Sequence, residues 1–299
     1  MAGTLSDVRE FLLDERAQRR ARDRAAGGFD AVAVVQSEVR HRLLERLQFV
    51  RMDPALCVDL GAGTGHAALA LRRRYPRSAI LAIDSSTGML REARRRFSFR
   101  RRFGRVAAEP IRLPLRDGSV DLLLSNLLLH GCSDPDALFD EVRRVLRPGG
   151  LFSFTCLGPD TLRELRKAWA EADDSYVHVH RFIDMHDLGD GLVRAGLVEP
   201  VMDVERLTVT YATVADLVRD LRALGETNRA AGRRRGLTGR GRASVMLAGY
   251  ERQRVEGRLP ASCEVVFGQA WGPVAPRRLK GLPGEALVPV RSIGRRSIR

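Results

Sequence analysis

The sequence lacks any apolar run long enough to cross a bilayer, and residues 1–20 contain no apolar core. The first absence excludes a membrane-spanning helix, because such a helix needs about 20 mostly apolar residues. The second is not typical of a secretory signal, so we expect a cytoplasmic protein with no membrane partner. A chain of 299 residues that is 44% hydrophobic can bury a full α/β core with room for an insertion.

Aromatic residues are also few, at 6% of the chain, and no recognisable nucleic-acid-binding module is present. The formal net charge is nevertheless +14, and arginine contributes far more of it than lysine. Part of this arginine content is typical of GC-rich coding, and the remainder indicates an acidic partner. An acidic protein fits this charge as well as a nucleic acid does.

Cysteine and histidine are scarce and scattered. The four cysteines have no metal-ligand spacing, and three of them lie in apolar contexts that predict buried thiols. The six histidines include the pair His178 and His180, without a cluster of further ligands around them. We therefore predict no metal site.

The most informative motif runs from Val58 to Gly65 and reads Val-Asp-Leu-Gly-Ala-Gly-Thr-Gly. It predicts a buried strand, a glycine turn and the start of a helix. Glycines let the backbone turn sharply and approach a ligand that side chains would exclude. Dinucleotide enzymes and phosphate loops use similar turns, so this motif alone leaves those ligands, and a ligand-free structural turn, open.

A second motif follows along the chain. The apolar run from Ala79 to Ile83 ends in Asp84, which is placed to accept hydrogen bonds from a ribose diol. The GxGxG spacing, with Asp59 just before it, differs from the dinucleotide pattern GxGxxG. Together these motifs resemble those of class I S-adenosylmethionine (SAM)-dependent methyltransferases, and the resemblance implies SAM as the cofactor.

Alternating strands and helices predict an α/β fold with a doubly wound, mostly parallel sheet. The resemblance implies the Rossmann-like class I methyltransferase form, with seven strands and an inserted helical lid. We expect strand five at 151–156, after a stop at 147–150, and the last strand at 263–267. The expected division is a helical cap (1–50), the SAM-binding core (51–212), the helical lid (213–259), the final core strand (260–275) and a basic disordered tail (276–299).

Ligands of such sheets bind at the carboxyl ends of the strands, where we expect the methionine part of SAM to lie in the glycine turn. The backbone at Gly61, Gly63 and Gly65 can wrap that part of the cofactor. Asp59 can reach its amino group directly or through water.

The adenosine part is expected against the ends of the next strands. Asp84 suits the ribose, although it can also be a helix-capping residue. Met89 can cover the adenine, although a methionine at such a position is more often core. Glu109 can accept from the adenine amine. Asn126 lies next to the expected sulfonium, and alone it would fit an ordinary turn equally well.

Longer stretches are similar to signatures of a narrower family, the malonyl-[acyl-carrier-protein] O-methyltransferases. They comprise residues 24–26, 29–30, 125–127, 157–162, 181–187, 236–239, 264–266 and 270–271. The resemblance covers about Arg22 to Gly272. That family methylates the free carboxyl of a malonyl thioester at the start of pimelate and biotin synthesis. It therefore implies an acidic acyl carrier protein as the partner, and no nucleic acid.

The chain departs from this family at several positions. Glu109 stands where an aspartate is usual, Phe29 and Cys263 where tyrosines are, and Gly131 where a tryptophan is. Phe29 lacks a hydroxyl that would face the active site, and Gly131 is expected to open space beside Asn126. A diverged paralogue with another acceptor is therefore an open alternative.

A malonyl carboxylate is ionised near neutral pH, so it needs no general base. The enzyme must hold it in line with the methyl group and pair it with a positive donor, ideally a guanidinium fork. Arg181, flanked by His178, is our leading candidate for this clamp, with a solvated loop charge as the alternative. We expect Asn126 to help position the acceptor and Phe29 to contact it.

Arg234 and Arg235 lie in a basic stretch that we expect to meet the acidic carrier, unless it is an ordinary solvated face. Three other functions are left open. The chain also resembles the protein-arginine hydroxylases of the complex I assembly factor type around 160–166. The remaining alternatives are a quinone or small-molecule methyltransferase and a non-catalytic SAM-binding module.

Overall fold

The computed structural model describes residues 12–96 and 102–273. The first 11 residues of the predicted helical cap and the predicted basic tail at 276–299 lie outside these residues. In the part of the chain described, no helix combines the length and the apolarity that crossing a bilayer requires.

Seven strands form one sheet in the order β3-β2-β1-β4-β5-β7-β6. They are β1 (Leu56–Leu60), β2 (Ala79–Asp84), β3 (Gly104–Ala107), β4 (Val120–Ser125), β5 (Leu146–Leu157), β6 (Val198–Tyr211) and β7 (Leu259–Trp271). The pairs among β1 to β5 are parallel, and β7 runs antiparallel to both β5 and β6. The order reverses at β1, so the carboxyl ends of β1 and β4 frame the crevice where such sheets bind ligands.

Ten α-helices flank this sheet in the described residues. They are α1 (Glu15–Ala25), α2 (Phe29–Val32), α3 (Val34–Arg46), α4 (His66–Arg74), α5 (Thr87–Arg95), α6 (Pro135–Val145), α7 (Arg163–Ala172), α8 (Met185–Arg194), α9 (Val214–Ala223) and α10 (Arg240–Glu251). Core clusters lie on both faces of the sheet, with α3 and α4 over one and α6 and α8 over the other. The predicted fold class is confirmed.

Strand β4 shows why the central strands of the sheet have apolar residues at successive positions. Its six residues are all buried. Leu123 packs into the cluster beneath α6, whereas Leu122 and Leu124 pack into the cluster beneath α3. A strand covered on both faces needs apolar side chains at successive positions rather than at alternate ones.

Two strands are longer than the sequence predicted. Strand β5 begins at Leu146, because Leu146 already pairs with Val120, and the Arg-Pro-Gly-Gly segment forms an irregularity within the strand before regular pairing resumes at Leu151. Strand β7 begins at Leu259, which pairs with Tyr211 at the end of β6. The antiparallel β6–β7 pair therefore extends beyond the apolar stretch that made the strand visible in the sequence.

Helix α1 lies against the start of α5. The Asp23 carboxylate accepts hydrogen bonds from the Ser86 hydroxyl at 2.7 Å and from the Gly88 backbone N–H at 2.8 Å. A Cβ at Gly88 would lie 2.8 Å from the carbonyl oxygen of Asp23, so the glycine permits this close approach. The segment before α1 also contacts the chain after α9, because Arg233 pairs with Asp14 at 3.0 Å.

Helices α9 and α10 form a third apolar cluster with α7 and the beginning of β7. Its buried members include Leu165, Leu217, Met246, Tyr250 and Ala261. This cluster fixes the two helices beside the cavity described below. The domain boundaries assigned from the sequence remain a prediction.

Candidate active site

The glycine turn after β1 is tied to the end of β2. Gly61, Gly63 and Gly65 have φ angles of 73°, 52° and 82°, which side-chain-bearing residues rarely adopt. The Gly61 N–H donates to the Ile83 carbonyl at 2.8 Å. The Gly63 N–H donates to the Asp84 carboxylate, also at 2.8 Å. The turn is therefore a preformed cradle of backbone groups.

Asp84 is 3% exposed and holds both neighbouring loops. One carboxylate oxygen accepts from Gly63 and the other accepts from the Ser86 N–H at 2.8 Å. Each oxygen has a second lone pair, so the carboxylate can still accept from two ribose hydroxyls. Asp84 thus holds the turn and keeps acceptor capacity for a ligand.

Asp59 lies beneath the same turn. Its carboxylate accepts the Ala68 N–H at 2.7 Å near the start of α4, and its side chain lines the main cavity. Burial raises the pKa of Asp59 to about 7, and the neighbouring Asp84 carboxylate pushes it in the same direction. A ligand ammonium placed beside Asp59 would favour its ionised form.

A central cavity of about 1230 Å³, measured to its open mouth, lies above this turn. The predicted residues that line it are Phe29, Asp59, Gly61, Gly63, Met89 and Asn126. Gly65 does not line it, since its Cβ position faces Ala93 and Phe103. Met89 is 1% exposed, so it both belongs to the core and forms part of the wall.

Two polar side chains of α3, which the sequence did not single out, also line the central cavity. Gln36 has a buried Oε1 without a partner in the described structure. Arg40 donates to the Ser37 hydroxyl at 2.8 Å, and burial lowers the pKa of its guanidinium. Helical spacing on an arginine-rich segment gave no signal that these two residues face a ligand.

The Asn126 amide is fixed at the end of β4. Its Nδ2 donates to the Gln36 carbonyl at 3.1 Å, and its Oδ1 accepts from the Thr155 hydroxyl at 3.0 Å. The amide therefore has one orientation, with a further N–H and a further lone pair available for a ligand.

A second cavity, the cap cavity, lies between α1 and the ends of β2 and β3. Asp84 and Glu109 line it from the core, and Arg19 and Arg22 line it from α1. The exposed Glu109 carboxylate pairs with Arg19 at 2.6 Å. Helix α1 thus covers the side of the site where the adenine was predicted.

The expectation that Gly131 opens space beside Asn126 is wrong. A Cβ built on Gly131 would overlap the side-chain amide of Gln18, which fills that position from α1. The Gln18 side chain thus occupies the space that a larger residue at position 131 would take.

His178 lies in a side chamber, which adjoins the central cavity and shares its residues His180 and Phe182. The imidazole of His178 stacks on Trp169 with ring centroids 3.9 Å apart, and its Nε2 lies 3.5 Å from Asp173. His178 does not line the central cavity itself. Arg181 is exposed and lines neither space. Its role as a clamp remains a prediction.

The predicted carrier-binding arginines lie close to this side chamber. Arg234 donates to the Leu237 carbonyl at 3.2 Å and lies 3.9 Å from Asp173, which Arg242 also approaches to 3.5 Å. Arg235 is exposed, and the Leu237 side chain between these arginines is 94% exposed. The segment therefore exposes one apolar side chain with arginines on both sides of it in the sequence.

Sequence reasoning missed a buried polar cluster at the other end of the central cavity. Arg22 from α1 pairs with Glu226, which follows α9, at 3.4 Å. Although burial raises the pKa of Glu226, Arg22 together with His130 and His180 holds that pKa below its ordinary value. His130 and His180 line the same region, and burial lowers the pKa of His130 to about 4. Arg22 and Glu226 lie 204 residues apart, so no local pattern could reveal the pair.

Comparison with known proteins identifies the family. The chain is 48% identical over 272 residues to the malonyl-[acyl-carrier protein] O-methyltransferase of Methylovorus sp. (strain MP688), covering 89% of this chain and 91% of that protein. It is also 48% identical over 277 residues to the protein of the same name from Laribacter hongkongensis (strain HLHK9), covering 90% and 93%. The chain belongs to this family. In addition, the family model described as a methyltransferase domain matches residues 58–154.

Solved structures show the same fold at lower identity. The YcgJ protein of Bacillus subtilis superposes with a TM-score of 0.55 at 17% identity, covering 79% of this chain and all of that one. Phosphoethanolamine N-methyltransferase 2 of Haemonchus contortus, solved with phosphomonomethylethanolamine and S-adenosylhomocysteine, has a TM-score of 0.50 at 17% identity. It covers 78% of this chain and 52% of that one. The prediction of a SAM-dependent methyltransferase is confirmed by the family.

Proposed function

We propose that this protein transfers a methyl group from SAM to the free carboxylate of a malonyl group carried by an acyl carrier protein. The observation that carries the proposal is the 48% identity to relatives of that name over about nine-tenths of the chain. A span of that length necessarily includes most of the core and the segment that contains α9 and α10. Both substrates belong to cytoplasmic biosynthesis, so the proposal includes a cytoplasmic location.

The residues of the central cavity fit the cofactor. The buried Gln36 Oε1 lacks a partner in the described structure and can accept from the amino group of the methionine part. A Cβ on Gly63 would meet nothing within 4 Å, so its backbone faces open space that a ligand can fill. Asp59 would bind the same amino group. The positive charge of Arg40 would pair with the carboxylate of the methionine part of SAM.

The cap cavity fits the remainder of the cofactor. Asp84 would accept the ribose hydroxyls and Glu109 the adenine amine, and Met89 lies in the wall of the central cavity. When bound, SAM supplies a methyl group on a positively charged sulfur. Helix α1 would cover this part of the site from solvent.

Methyl transfer to a carboxylate requires alignment of the acceptor with the methyl group and does not require proton transfer. A carboxylic acid has a pKa near 4, so a malonyl group reaches the site as a nucleophilic carboxylate. Burial lowers the pKa of the His130 imidazole to about 4, so this side chain is neutral at physiological pH. It does not have to act as a general base, because the acceptor is already ionised. The fixed amide of Asn126 lies at the end of β4, and with Phe29 it would restrict where the acceptor can sit.

The proposal also includes a docking surface for the carrier protein. An acidic carrier would dock on the basic surface around Leu237, with Arg235 and Arg240 exposed on it. The side chamber lies between this surface and the central cavity, so it offers a path for the flexible thioester arm. His178 would contact that arm rather than the reacting carboxylate.

A transfer assay tests this function. The enzyme is incubated with methyl-labelled SAM and with a carrier that bears malonyl, acetyl or no acyl group. We expect label on the malonyl carrier alone. Label on the acetyl carrier, or transfer to small molecules and to none of the carriers, would contradict the proposal.

A further inference from the structure

Three polar atoms in the central cavity are buried and have no hydrogen-bond partner in the described structure. They are Arg22 Nε, His130 Nδ1 and His180 Nε2. A buried donor or acceptor left unsatisfied is costly, so such groups need a partner that a bound ligand can supply. They come from α1, from the segment after β4 and from the segment before α8. Three separate parts of the chain thus converge on one place.

The surroundings hold these groups in fixed positions. The Phe182 ring lies between the two imidazoles, with centroid distances of 6.0 Å to His130 and 4.6 Å to His180. Glu226 engages the Nη2 of Arg22 at 3.4 Å, which leaves the Nε of the guanidinium buried and without a partner in the described structure. The cluster thus contains one positive charge, one internal counter-ion and two neutral imidazoles.

We propose that Arg22, His130 and His180 form the binding site for the acceptor carboxylate, and that Glu226 takes the guanidinium when no acceptor is bound. The inference rests on the proposed function and names the residues that recognise its substrate. A guanidinium presents parallel N–H groups that match a carboxylate, and the imidazoles add hydrogen bonds from the other side.

The charges explain why Glu226 competes with the acceptor. Two carboxylates on one buried guanidinium would leave an excess negative charge in a region of low dielectric, where like charges repel strongly. A malonyl carboxylate therefore binds at the expense of the Glu226 contact. The methyl ester product is neutral and cannot hold the guanidinium, so Glu226 returns to it. The site thereby favours substrate over product.

A binding experiment without turnover tests this site. S-adenosylhomocysteine (SAH) occupies the cofactor site, and calorimetry compares the dissociation constants of malonyl and acetyl carriers. If the wild type shows no preference for the malonyl carrier, the proposed function itself fails. If it does, Arg22→Gln should remove most of that preference, by roughly tenfold to a hundredfold. SAH affinity should stay close to wild type, whereas the thermal midpoint should fall, because Glu226 loses its partner.

The Glu226→Gln variant should change the affinity for the malonyl carrier in the opposite direction. It keeps the size of the side chain but removes the competing charge, so the malonyl carrier should bind more tightly while the acetyl carrier is unaffected. Arg46→Gln is the matched control, because Arg46 pairs with Glu205 at 2.6 Å on the outer surface of the core, away from both cavities. It should leave the preference intact.

Four results would overturn the proposal. The first is an unchanged malonyl preference in Arg22→Gln. The second is a large loss of SAH affinity in that variant, which would place Arg22 on the cofactor. The third is weaker malonyl binding in Glu226→Gln. The fourth is loss of the preference in Arg181→Gln but not in Arg22→Gln, which would place the clamp at Arg181.

Discussion

The carboxylate of Asp84 accepts the backbone N–H of Gly63 at 2.8 Å, which joins the end of β2 to the glycine turn after β1. Because Asp84 also faces the cap cavity, one side chain shapes the turn and faces the expected ribose. The two motifs that pointed to SAM in the sequence are therefore parts of a single hydrogen-bonded unit.

Replacing Asp84 should weaken cofactor binding. In Asp84→Asn one carboxylate oxygen becomes an amide donor, so at least one ribose hydrogen bond is lost. We expect SAM affinity to fall by about 1–3 kcal/mol, measured by calorimetry. Asp121→Asn is the control, because Asp121 is a buried carboxylate that accepts the Leu56 N–H at 2.7 Å at the opposite end of β1. It should lower folding stability and leave SAM affinity unchanged, and equal affinity losses in both variants would refute the ribose assignment.

Alanine at two glycines of the turn should separate binding from folding. At Gly63 a methyl group meets no atom within 4 Å, so the cost to folding is the left-handed backbone strain of about 1–2 kcal/mol. That methyl group enters the cofactor space, and SAM affinity should fall more than stability does. At Gly65 the Cβ would lie 2.9 Å from the Ala93 Cβ, so stability should fall further. Denaturation and SAH titration measure both effects. Normal SAH binding by Gly63→Ala would argue against the cradle.

Cofactor affinity should depend on pH through Asp59. Its pKa is about 7 in the folded protein against 3.8 ordinarily, so the folded state retains a proton that the unfolded chain has released between these values. Folding stability from this group therefore decreases as pH rises from about 4 to 7. The cofactor ammonium favours the carboxylate, so SAM affinity should rise, by up to about tenfold per pH unit, until pH reaches about 7. Asp59→Asn should remove this dependence. A wild-type affinity that is flat across this range would contradict the contact.

Charge reversal at the basic surface should affect only carrier-bound substrate. We choose Arg235→Glu with Arg240→Glu, since Arg234 also donates a hydrogen bond to the Leu237 carbonyl. KM for the malonyl carrier should rise about tenfold at low salt and less at high salt, because exposed charges are screened. KM for SAM should not change. Arg51→Glu with Arg77→Glu makes the same charge change on exposed residues preceding β1 and β2. Equal losses with a small malonyl thioester would exclude docking.

The sequence predicted the core well because its information is local. An apolar strand, a glycine turn and a following acidic residue lie within a short stretch, and parallel strands bring their carboxyl ends together at one edge. The Gly63–Asp84 contact follows almost directly from that geometry. Strand ends were less predictable, since Leu146 already pairs with Val120 and the Arg-Pro-Gly-Gly segment lies in a register shift inside β5 instead of preceding the strand.

The acceptor end of the site could not be read in this way. Arg22 lies in a helix with many arginines, where a buried guanidinium looks like its solvated neighbours. Its partner Glu226 comes from the segment after α9, far along the chain. Arg181 carried the family signature, yet the side chains beside it, His180 and Phe182, are those that line the central cavity. Long-range packing decides which member of such a segment faces inward.

The chemical position of the transferred methyl group tests the central claim most directly. After reaction with methyl-labelled SAM, the malonyl carrier is isolated, checked by intact mass for a single methyl group and treated with mild alkali. A methyl ester releases its label as methanol, whereas a methyl group on carbon, nitrogen or an arginine side chain yields no methanol, even though alkali also cleaves the thioester. We predict one methyl group per malonyl carrier, released completely as methanol. Label that is not released as methanol, or label on a carrier without a carboxylate, would contradict the account.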